Sequence, residues 1–354
     1  MTALAASSLS DLGTLATAIT NNEFDNDTGI TTIAVTDTTI DATTLAARID
    51  SFDTINGGST TGMTLASGAT INVDADEVDH LLADETANRL TISDQVITVT
   101  NAITVDQANL LGATTTGKLT ATIATTETVT ELATLSADGG TNDLTVVIRG
   151  ADATAATAAQ LNTINAATAV AVDLTNVTAL AGSSLSDLGT LATAITNNEF
   201  SNDDGLTTIA VTDTTIDATT LAARIDSFDT INGGSTTGMT LASGATINVD
   251  ADEVDHLLAD ETANRLTISD QVITVTNAIT VDQANLLGAT TTGKLTATIA
   301  TTETVTELAT LSADGGTNDL TVVIRNADAT AATALQLNTI CLLYTSPSPR
   351  DPNR

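Results

Sequence analysis

Large aromatic side chains are almost absent from this sequence. They make up 1% of its 354 residues, and tryptophan does not occur, although hydrophobic residues reach 42%. A chain of this length has room for two or more ordinary domains, whose cores normally use aromatic rings as filler. We therefore expect thin layers of Leu, Ile, Val and Ala, each in contact only with its neighbours, as in repeat proteins.

Cysteine and proline are nearly absent as well. The single cysteine, Cys341, excludes a disulfide framework and a cysteine metal site. The last residues, CLLYTSPSPRDPNR (341–354), hold that cysteine, the only tyrosine and all three prolines. Cys341 to Asp351 resembles the translation of a sequencing adapter. We interpret 341–354 as a non-native, disordered tail and exclude it from the fold prediction.

Basic residues are the third scarcity. The chain has 10 Lys and Arg against 44 Asp and Glu, a net charge of −34. No basic stripe is present to neutralise nucleic-acid phosphate or to bind anionic lipid, so we expect neither partner. The acidic surface favours solubility, and it also attracts divalent cations, which leaves Ca²⁺ open as a ligand. No apolar run reaches the length of a membrane span, and MTALAASSLS has no signal-peptide pattern.

A long internal repeat dominates what is present. Residues 2–164 match residues 178–340 after a shift of 176 positions. Six positions differ: Ala6/Gly182, Asp25/Ser201, Thr28/Asp204, Ile30/Leu206, Gly150/Asn326 and Ala159/Leu335. We predict two near-identical blocks, 1–176 and 177–340. Met1 aligns with Val177 inside the repeat, so we expect the chain to be an interior part of a larger array.

A shorter repeat lies inside each block. Six runs of alternating apolar residues and Thr or Ser predict six strands in the first block, with a mean spacing of about 29 residues. They begin near Thr32, Met63, Leu90, Leu119, Leu144 and Val170. Some units carry a second short strand, as at Ile71–Val73 and Ile97–Val99. Each unit, which we call a coil, closes on Gly- and Asn-rich turns such as Asn56–Gly62.

A helix-start signal follows the strands of each coil. Three pairs fit the capping box: Thr104 with Gln107, Thr128 with Glu131, and Thr157 with Gln160. Asp41 is a weaker signal, because Thr44 is a poor partner for it. We predict an α/β solenoid of stacked strand–short helix–turn coils with a parallel sheet. The alternative is a β-helix with little helix, and the short period argues against immunoglobulin-like sandwiches.

Two histidines, His80 and its copy His256, are the first candidates for chemistry. Asp76 precedes His80 by four residues, so both are expected on one helical face, where a metal site or an acid–base pair is conceivable. No second histidine or nucleophile is near in sequence. We favour a solvated helix face.

Two segments resemble calcium loops. In Glu23–Gly29 acidic residues alternate, but the glycine falls one place late for an EF-hand, and the second copy replaces Asp25 by Ser201 while gaining Asp204. Gly139–Leu144 is one residue short of the turn of calcium-binding β-roll repeats. We favour polar turns for both and keep calcium as the alternative.

The remaining patterns argue against catalysis. The triplets Thr98–Thr100 and Thr120–Thr122 suggest a flat threonine face like that of ice-binding solenoids, but strand propensity explains them as well. We find no phosphate-binding glycine loop, no Gly-X-Ser-X-Gly elbow and no Ser/His/Asp arrangement in the sequence. We therefore do not expect an enzyme.

The coils resemble the long repetitive cell-surface proteins of marine cyanobacteria and related bacteria, which include adhesin-like and swimming-motility-associated proteins. The resemblance rests on ITVDQANLL (103–111) and AAQLNTIN (158–165) and extends over residues 2–340. It implies secretion, display at the cell surface and a structural or adhesive role, often with calcium. Expected partners are neighbouring repeats of the same larger protein, and also cell-surface glycans or other cells.

Overall fold

The computed structural model describes residues 2–24, 28–59, 61–136, 142–234, 237–312, 318–328 and 330–344. Over these residues the chain forms twelve α-helices. They are α1 Leu9–Thr20, α2 Ala42–Ile55, α3 Val78–Thr86, α4 Val105–Thr114, α5 Val129–Leu132, α6 Ala158–Ala166, α7 Leu185–Thr196, α8 Ala218–Ile231, α9 Val254–Thr262, α10 Val281–Thr290, α11 Val305–Leu308 and α12 Ala334–Tyr344. None of these helices is long and apolar enough to cross a membrane.

Twenty short strands accompany the helices in the same part of the chain. In the first block they are β1 Ala3–Ser7, β2 Thr32–Val35, β3 Thr39–Asp41, β4 Gly62–Thr64, β5 Thr70–Val73, β6 Leu90–Thr91, β7 Val96–Ile103, β8 Leu119–Ile123, β9 Asp143–Thr145 and β10 Val172–Asp173. In the second they are β11 Ala179–Ser183, β12 Phe200–Ser201, β13 Thr208–Val211, β14 Thr215–Asp217, β15 Gly238–Thr240, β16 Thr246–Val249, β17 Leu266–Thr267, β18 Val272–Ile279, β19 Leu295–Ile299 and β20 Asp319–Thr321.

Every strand pair among the described residues is parallel, which confirms the predicted α/β class and parallel sheets. The first block has a sheet in the order β1-β2-β4-β6 and a second in the order β3-β5-β7-β8-β9. The second block repeats both orders with β11-β13-β15-β17 and β14-β16-β18-β19-β20, and β10 pairs with β12. The helix content rules out the alternative with little helix. Parallel pairing does not fit an immunoglobulin sandwich, whose sheets are antiparallel.

Register places equivalent apolar residues directly beside one another. Ile40 pairs with Ile71, Ile71 with Ile97, and Ile97 with Leu119. In the other sheet Ile33 pairs with Met63 and Met63 with Leu90. All of these side chains are at most 2% exposed. Because side chains alternate along a strand, the intervening Thr and Asn residues face away from this core.

The helices begin where the capping signals predict. Thr104 and Gln107 form both halves of a capping box, and Thr128 and Glu131 form another. In the second block Thr333 and Gln336 do the same. The prediction that Asp41 gives only a weak helix-start signal was wrong. Its carboxylate accepts from both the backbone N–H and the hydroxyl of Thr44, so Thr44 reinforces the cap of a 14-residue helix, α2.

A second kind of helix cap is supplied by the following coil and was not predicted. Asp37 Oδ2 accepts from the backbone N–H of Leu9, 28 residues earlier, at 2.7 Å. Asp152 Oδ2 accepts from Val129 N–H at 2.8 Å, 23 residues earlier. Asp213 and Asp328 repeat both bonds in the second block. A carboxylate at a helix N-terminus satisfies an orphan donor and opposes the helix dipole, so each of these bonds stabilises the coil before it.

Contacts divide the chain into two compact units. One comprises Met1–Ala153, Gln160–Asn176 and Asn197–Asn202, and the other comprises Thr154–Ala159, Val177–Thr196 and Asp203–Arg354. Residues 341–344 form the last turn of α12, where we expected disorder. The rest of the 341–354 tail lies outside the described residues.

The first prediction concerns the stacked core. Replacing Ile97 with Ala removes a fully buried side chain between Ile71 and Leu119, and we expect the unit to lose about 2–5 kcal/mol of unfolding free energy. Ile273→Ala should cost the same, since Ile273 pairs with Leu295 and is equally buried. Urea unfolding measures both losses. Leu110→Ala, at a side chain 56% exposed, is the control and should change stability by about 0.5 kcal/mol or less. Equal effects at Ile97 and Leu110 would contradict the stacked core.

Candidate functional site: an arginine cluster beside a histidine cleft

Local helix geometry brings Arg89 back against α3. At the end of this helix Asn88 has φ +56°, in the left-handed region that asparagine tolerates. The reversal lets Asn88 N–H bond to the carbonyl of Glu85 and Arg89 N–H bond to the carbonyl of Asp84, each at 2.9 Å. This pair of bonds is a Schellman motif, which satisfies the last carbonyls of the helix. The Arg89 side chain therefore starts beside Asp84.

Three carboxylates surround the Arg89 guanidinium. Nη1 lies 3.1 Å from Asp84 Oδ1, and Nη2 contacts Asp50 Oδ1. Nε lies 2.7 Å from Asp53 Oδ2 without an aligned hydrogen bond, so that contact is a charge interaction. Asp50 and Asp53 come from the second half of α2, so the arginine joins α2, α3 and the chain entering β6. We call these four residues the arginine cluster.

Because Asp84 is buried, it is the member of the arginine cluster that depends most on its ion pair. Its side chain is only 3% exposed, and burial raises the pKa of Asp84 above its ordinary value, while the charges of Arg89 and His80 act in the opposite direction. For Arg89 burial acts to lower the pKa, but the hydrogen bond with Asp50 and the charges of Asp84 and Asp53 raise it overall. The guanidinium is thus charged at every relevant pH, and its positive charge stabilises the buried Asp84 carboxylate.

The second block repeats the arginine cluster. Arg265 Nη1 lies 3.1 Å from Asp260 Oδ1, its Nε lies 2.6 Å from Asp229 Oδ2, and its Nη2 contacts Asp226. Burial raises the pKa of Asp260 as it does that of Asp84. The same contacts therefore occur in both compact units.

His80 lines a cleft next to this cluster. The cleft has a volume of about 290 Å³ and lies between the first turns of α2 and the start of α3. Its floor is apolar, and its acidic members come from α3 and the 3-10 turn Ala75–Glu77. The lining residues are Ala42, Thr43, Leu45, Ala46, Asp76, Glu77, His80, Leu81 and Asp84. Thr43 Oγ1 lies 2.7 Å from Glu77 Oε1 and donates a hydrogen bond to that carboxylate, tying α2 to the turn.

The histidine has a different acidic neighbour from the one the sequence suggested. Asp76 lies in the 3-10 turn before α3 and shares the cleft with His80. The carboxylate of Asp84 lies beside the imidazole, with its Oδ2 3.9 Å from Nδ1, which is too long for a hydrogen bond. His80 itself is 56% exposed. His256 has the same neighbour, Asp260 Oδ2, at 3.7 Å.

The arginine cluster joins α2 to α3, and the acidic side chains of the neighbouring cleft attract cations weakly. The Thr43 hydroxyl is hydrogen-bonded to Glu77, and Asp84 forms an ion pair with Arg89. General acid–base work needs a base within hydrogen-bond reach of the proton it moves, and His80 has no such contact with Asp84. Among the described residues, no group of three or more His, Cys, Asp or Glu side chains is placed to hold a metal ion.

The two calcium motifs fall partly outside the described residues, which exclude 25–27 and 137–141. The second copy of the first motif, Glu199–Gly205, is described. There Glu199 Oε2 accepts from Asn165 at 2.6 Å, and Asn202 donates to Asp173 at 2.9 Å. Burial raises the pKa of Asp203. Glu199 is thus hydrogen-bonded to Asn165, and calcium binding by this loop stays a prediction.

The threonine triplets are only partly in register. Thr98 pairs directly with Thr120, but a bulge in β7 sets Thr122 opposite Ala102. Thr122 then pairs with Thr145 and Thr120 with Asp143. The register therefore gives short threonine pairs and no continuous threonine face across these three strands.

Comparison of the chain with models of protein families, with curated proteins and with solved structures gives no match.

Sequence reasoning missed the arginine cluster altogether. A signal for it was present, because Arg89 is one of only four basic residues among residues 1–176, which hold 22 acidic ones. A rare cation in so acidic a block is expected to have carboxylate partners. The partners Asp50 and Asp53 are 36 or more residues away, so only the fold identifies them.

The second prediction uses the cluster and its pH dependence. Arg89→Met leaves the buried Asp84 carboxylate without its cation and should cost about 3–5 kcal/mol at pH 7. The raised pKa means that the folded chain holds the Asp84 proton more tightly than the unfolded chain does. Stability from this group therefore increases as pH falls through its folded pKa. Losing Arg89 raises that pKa further, so the cost should shrink at pH 4.

Urea unfolding at the two pH values measures this effect. Asp84→Asn is the matched control: it keeps the shape, removes the buried charge, and should cost under about 2 kcal/mol at pH 7. An equal loss for Arg89→Met at both pH values would show that packing, not the buried charge, sets the cost.

Proposed function

We propose that the chain is a structural and adhesive repeat region of a large bacterial cell-surface protein, secreted and without catalytic activity. We further propose that its coils stack as an α/β solenoid within each block. The observation that carries both ideas is the strand order. In each large sheet the strands neighbour one another in chain order, so each coil pairs with the one before it and the one after it. Stacking of this kind is how repeat proteins gain stability from nearest neighbours.

Polar contacts between successive coils support the same proposal. Gln107 Nε2 donates to Asp79 Oδ1, 28 residues earlier, at 3.0 Å. Asn109 donates to the carbonyl of Thr134 and accepts from the backbone N–H of Ser136. Both sets of bonds recur in the second block. Each coil thus supplies hydrogen-bond partners for groups of its neighbour, as expected if the role of the chain is to form an extended stack.

The charge distribution fits display in an aqueous, extracellular setting. The four basic residues of the first block, Arg48, Arg89, Lys118 and Arg149, each have a partner inside the block: the carbonyl of Leu9, the arginine cluster, Asp143 and Asp152 respectively. Most acidic charge therefore faces solvent unopposed, which favours solubility and self-repulsion. Neighbouring repeats of the larger protein are the partners we propose first.

The third prediction tests the stacking. Chains with one, two and three concatenated 176-residue blocks should gain a constant increment in maximum dimension per block in small-angle X-ray scattering, because a continuous stack adds fixed length. Blocks that form independent globules on flexible connections would instead give a dimension that grows less than linearly. That result would contradict a stack that continues from one block to the next, and it would not affect the solenoid proposed within each block.

The fourth prediction separates the structural role from a calcium-dependent adhesin that recognises a surface or glycan. For a structural spacer we expect the same melting temperature with calcium and with a chelator, since a ligand stabilises only a fold that binds it. Magnesium at equal concentration is the control for general screening of the acidic surface. A rise specific to calcium would favour the adhesin alternative, and loss of that rise in Asp203→Asn or Asp204→Asn would place the ion in the Glu199–Gly205 loop.

A further inference from the structure

A groove on the helical face of the first block has features of a docking site. In the first block it lies between α3 and α4 and has a volume of about 680 Å³. The residues that matter are Leu82, Leu110 and Ala113, which form an apolar row, and Asp79 and Glu85, which flank it. None of the residues lining the groove is basic.

Helical spacing explains this layout. Asp79, Leu82 and Glu85 are three residues apart along α3 and share one face, and Leu110 and Ala113 do the same on α4. The buried face of α4 uses Val105, Ala108 and Leu111, so Leu110 is turned away from the core. It is 56% exposed, although leucine is normally one of the most buried residue types.

The same groove residues occur in the second block. Leu286 is also 56% exposed, and Leu258, Asp255, Glu261 and Ala289 occupy the equivalent positions of α9 and α10. Single exposed leucines need no explanation. An exposed leucine in a groove that is also lined by a second leucine and by two carboxylates is a more specific surface, and the second block has the same residues at the equivalent positions.

We infer that each groove binds a cationic amphipathic segment of a partner protein, with that segment's apolar residues over Leu82 and Leu110 and its Lys or Arg residues at Asp79 and Glu85. Charge complementarity decides the occupant. Three of the four basic residues of the first block pair with carboxylates within it, and Arg48 donates to the carbonyl of Leu9, so we expect the positive charge to come from the partner. Apolar anchors in a groove with charges at the rim are the usual way a helix is bound. This inference does not rest on the stacked-repeat proposal, because each groove lies within one block.

The test uses the full chain and a synthetic helical peptide made only of Leu and Lys, with its leucines on one face. Isothermal titration at physiological ionic strength should give two equivalent sites per chain. Leu110→Ser should reduce this to one site. Leu110→Ser combined with Leu286→Ser should weaken binding by at least about tenfold, the effect of losing one buried leucine side chain.

Matched controls separate groove binding from attraction to the acidic chain as a whole. Leu335→Ser changes an exposed leucine of α12 outside the grooves and should leave both sites intact. All these variants keep the charge, so binding that persists unchanged in the double variant would overturn the proposal. Equal binding of a peptide with Glu in place of Lys would also overturn it.

Two further measurements complete the test. Circular dichroism melting should show the variants folded as well as the parent chain, because the changed side chains are more than half exposed. Sedimentation of the parent chain alone should show no self-association through the grooves. Self-association that disappears in the double variant would mean that the occupant is a second copy of this chain, and the proposal of a cationic partner would be wrong.

Discussion

Stacking of like apolar side chains across parallel strands is the constraint on which the rest of the structure depends. Ile40, Ile71, Ile97 and Leu119 are register partners in sequence, and each is almost completely buried. Such a column works without aromatic filler, because each layer needs only a branched aliphatic side chain to cover the one beside it. It also fixes register, since a slip of one residue would turn Thr and Asn inward. The low aromatic content is thus compatible with the layered core.

Polar groups complete this core by joining one coil to the next. Asp37 and Asp152 cap helices of the preceding coil, and Arg89 joins the carboxylates of α2 and α3. Burial of Asp84 means that forming its ion pair with Arg89 costs desolvation free energy. Removing one partner is also destabilising, because the other charge is then buried without compensation. The sparse basic residues are therefore concentrated on internal contacts, and the outer surface is left acidic. This division explains how the two compact units form in a chain with net charge −34.

The sites differ in how far they could be predicted. The position of His80 on a solvated helical surface follows from its sequence context, and its exposure agrees. Its neighbour Asp84 could have been proposed from the spacing of four residues, but Asp76 was equally spaced and the pattern does not choose between them. The start of α3 decides, since Asp76 belongs to a 3-10 turn. The groove beside Leu110 was not predictable, because an amphipathic pattern identifies the buried face of a helix and does not show what an exposed leucine adjoins.

By itself, the sequence determined the 176-residue repeat, the period of about 29 residues, the α/β class and most helix starts. These are local properties: alternation predicts a strand, and a Thr with Gln or Glu three residues later predicts a helix cap. Only the tertiary structure decided which distant groups meet. The partners of Arg89 in α2, the caps from Asp37 and Asp152, and the bulge that sets Thr122 opposite Ala102 all depend on how one coil lies against the next. Contacts between residues 20 to 40 positions apart are set by register and helix packing, which composition and spacing do not specify.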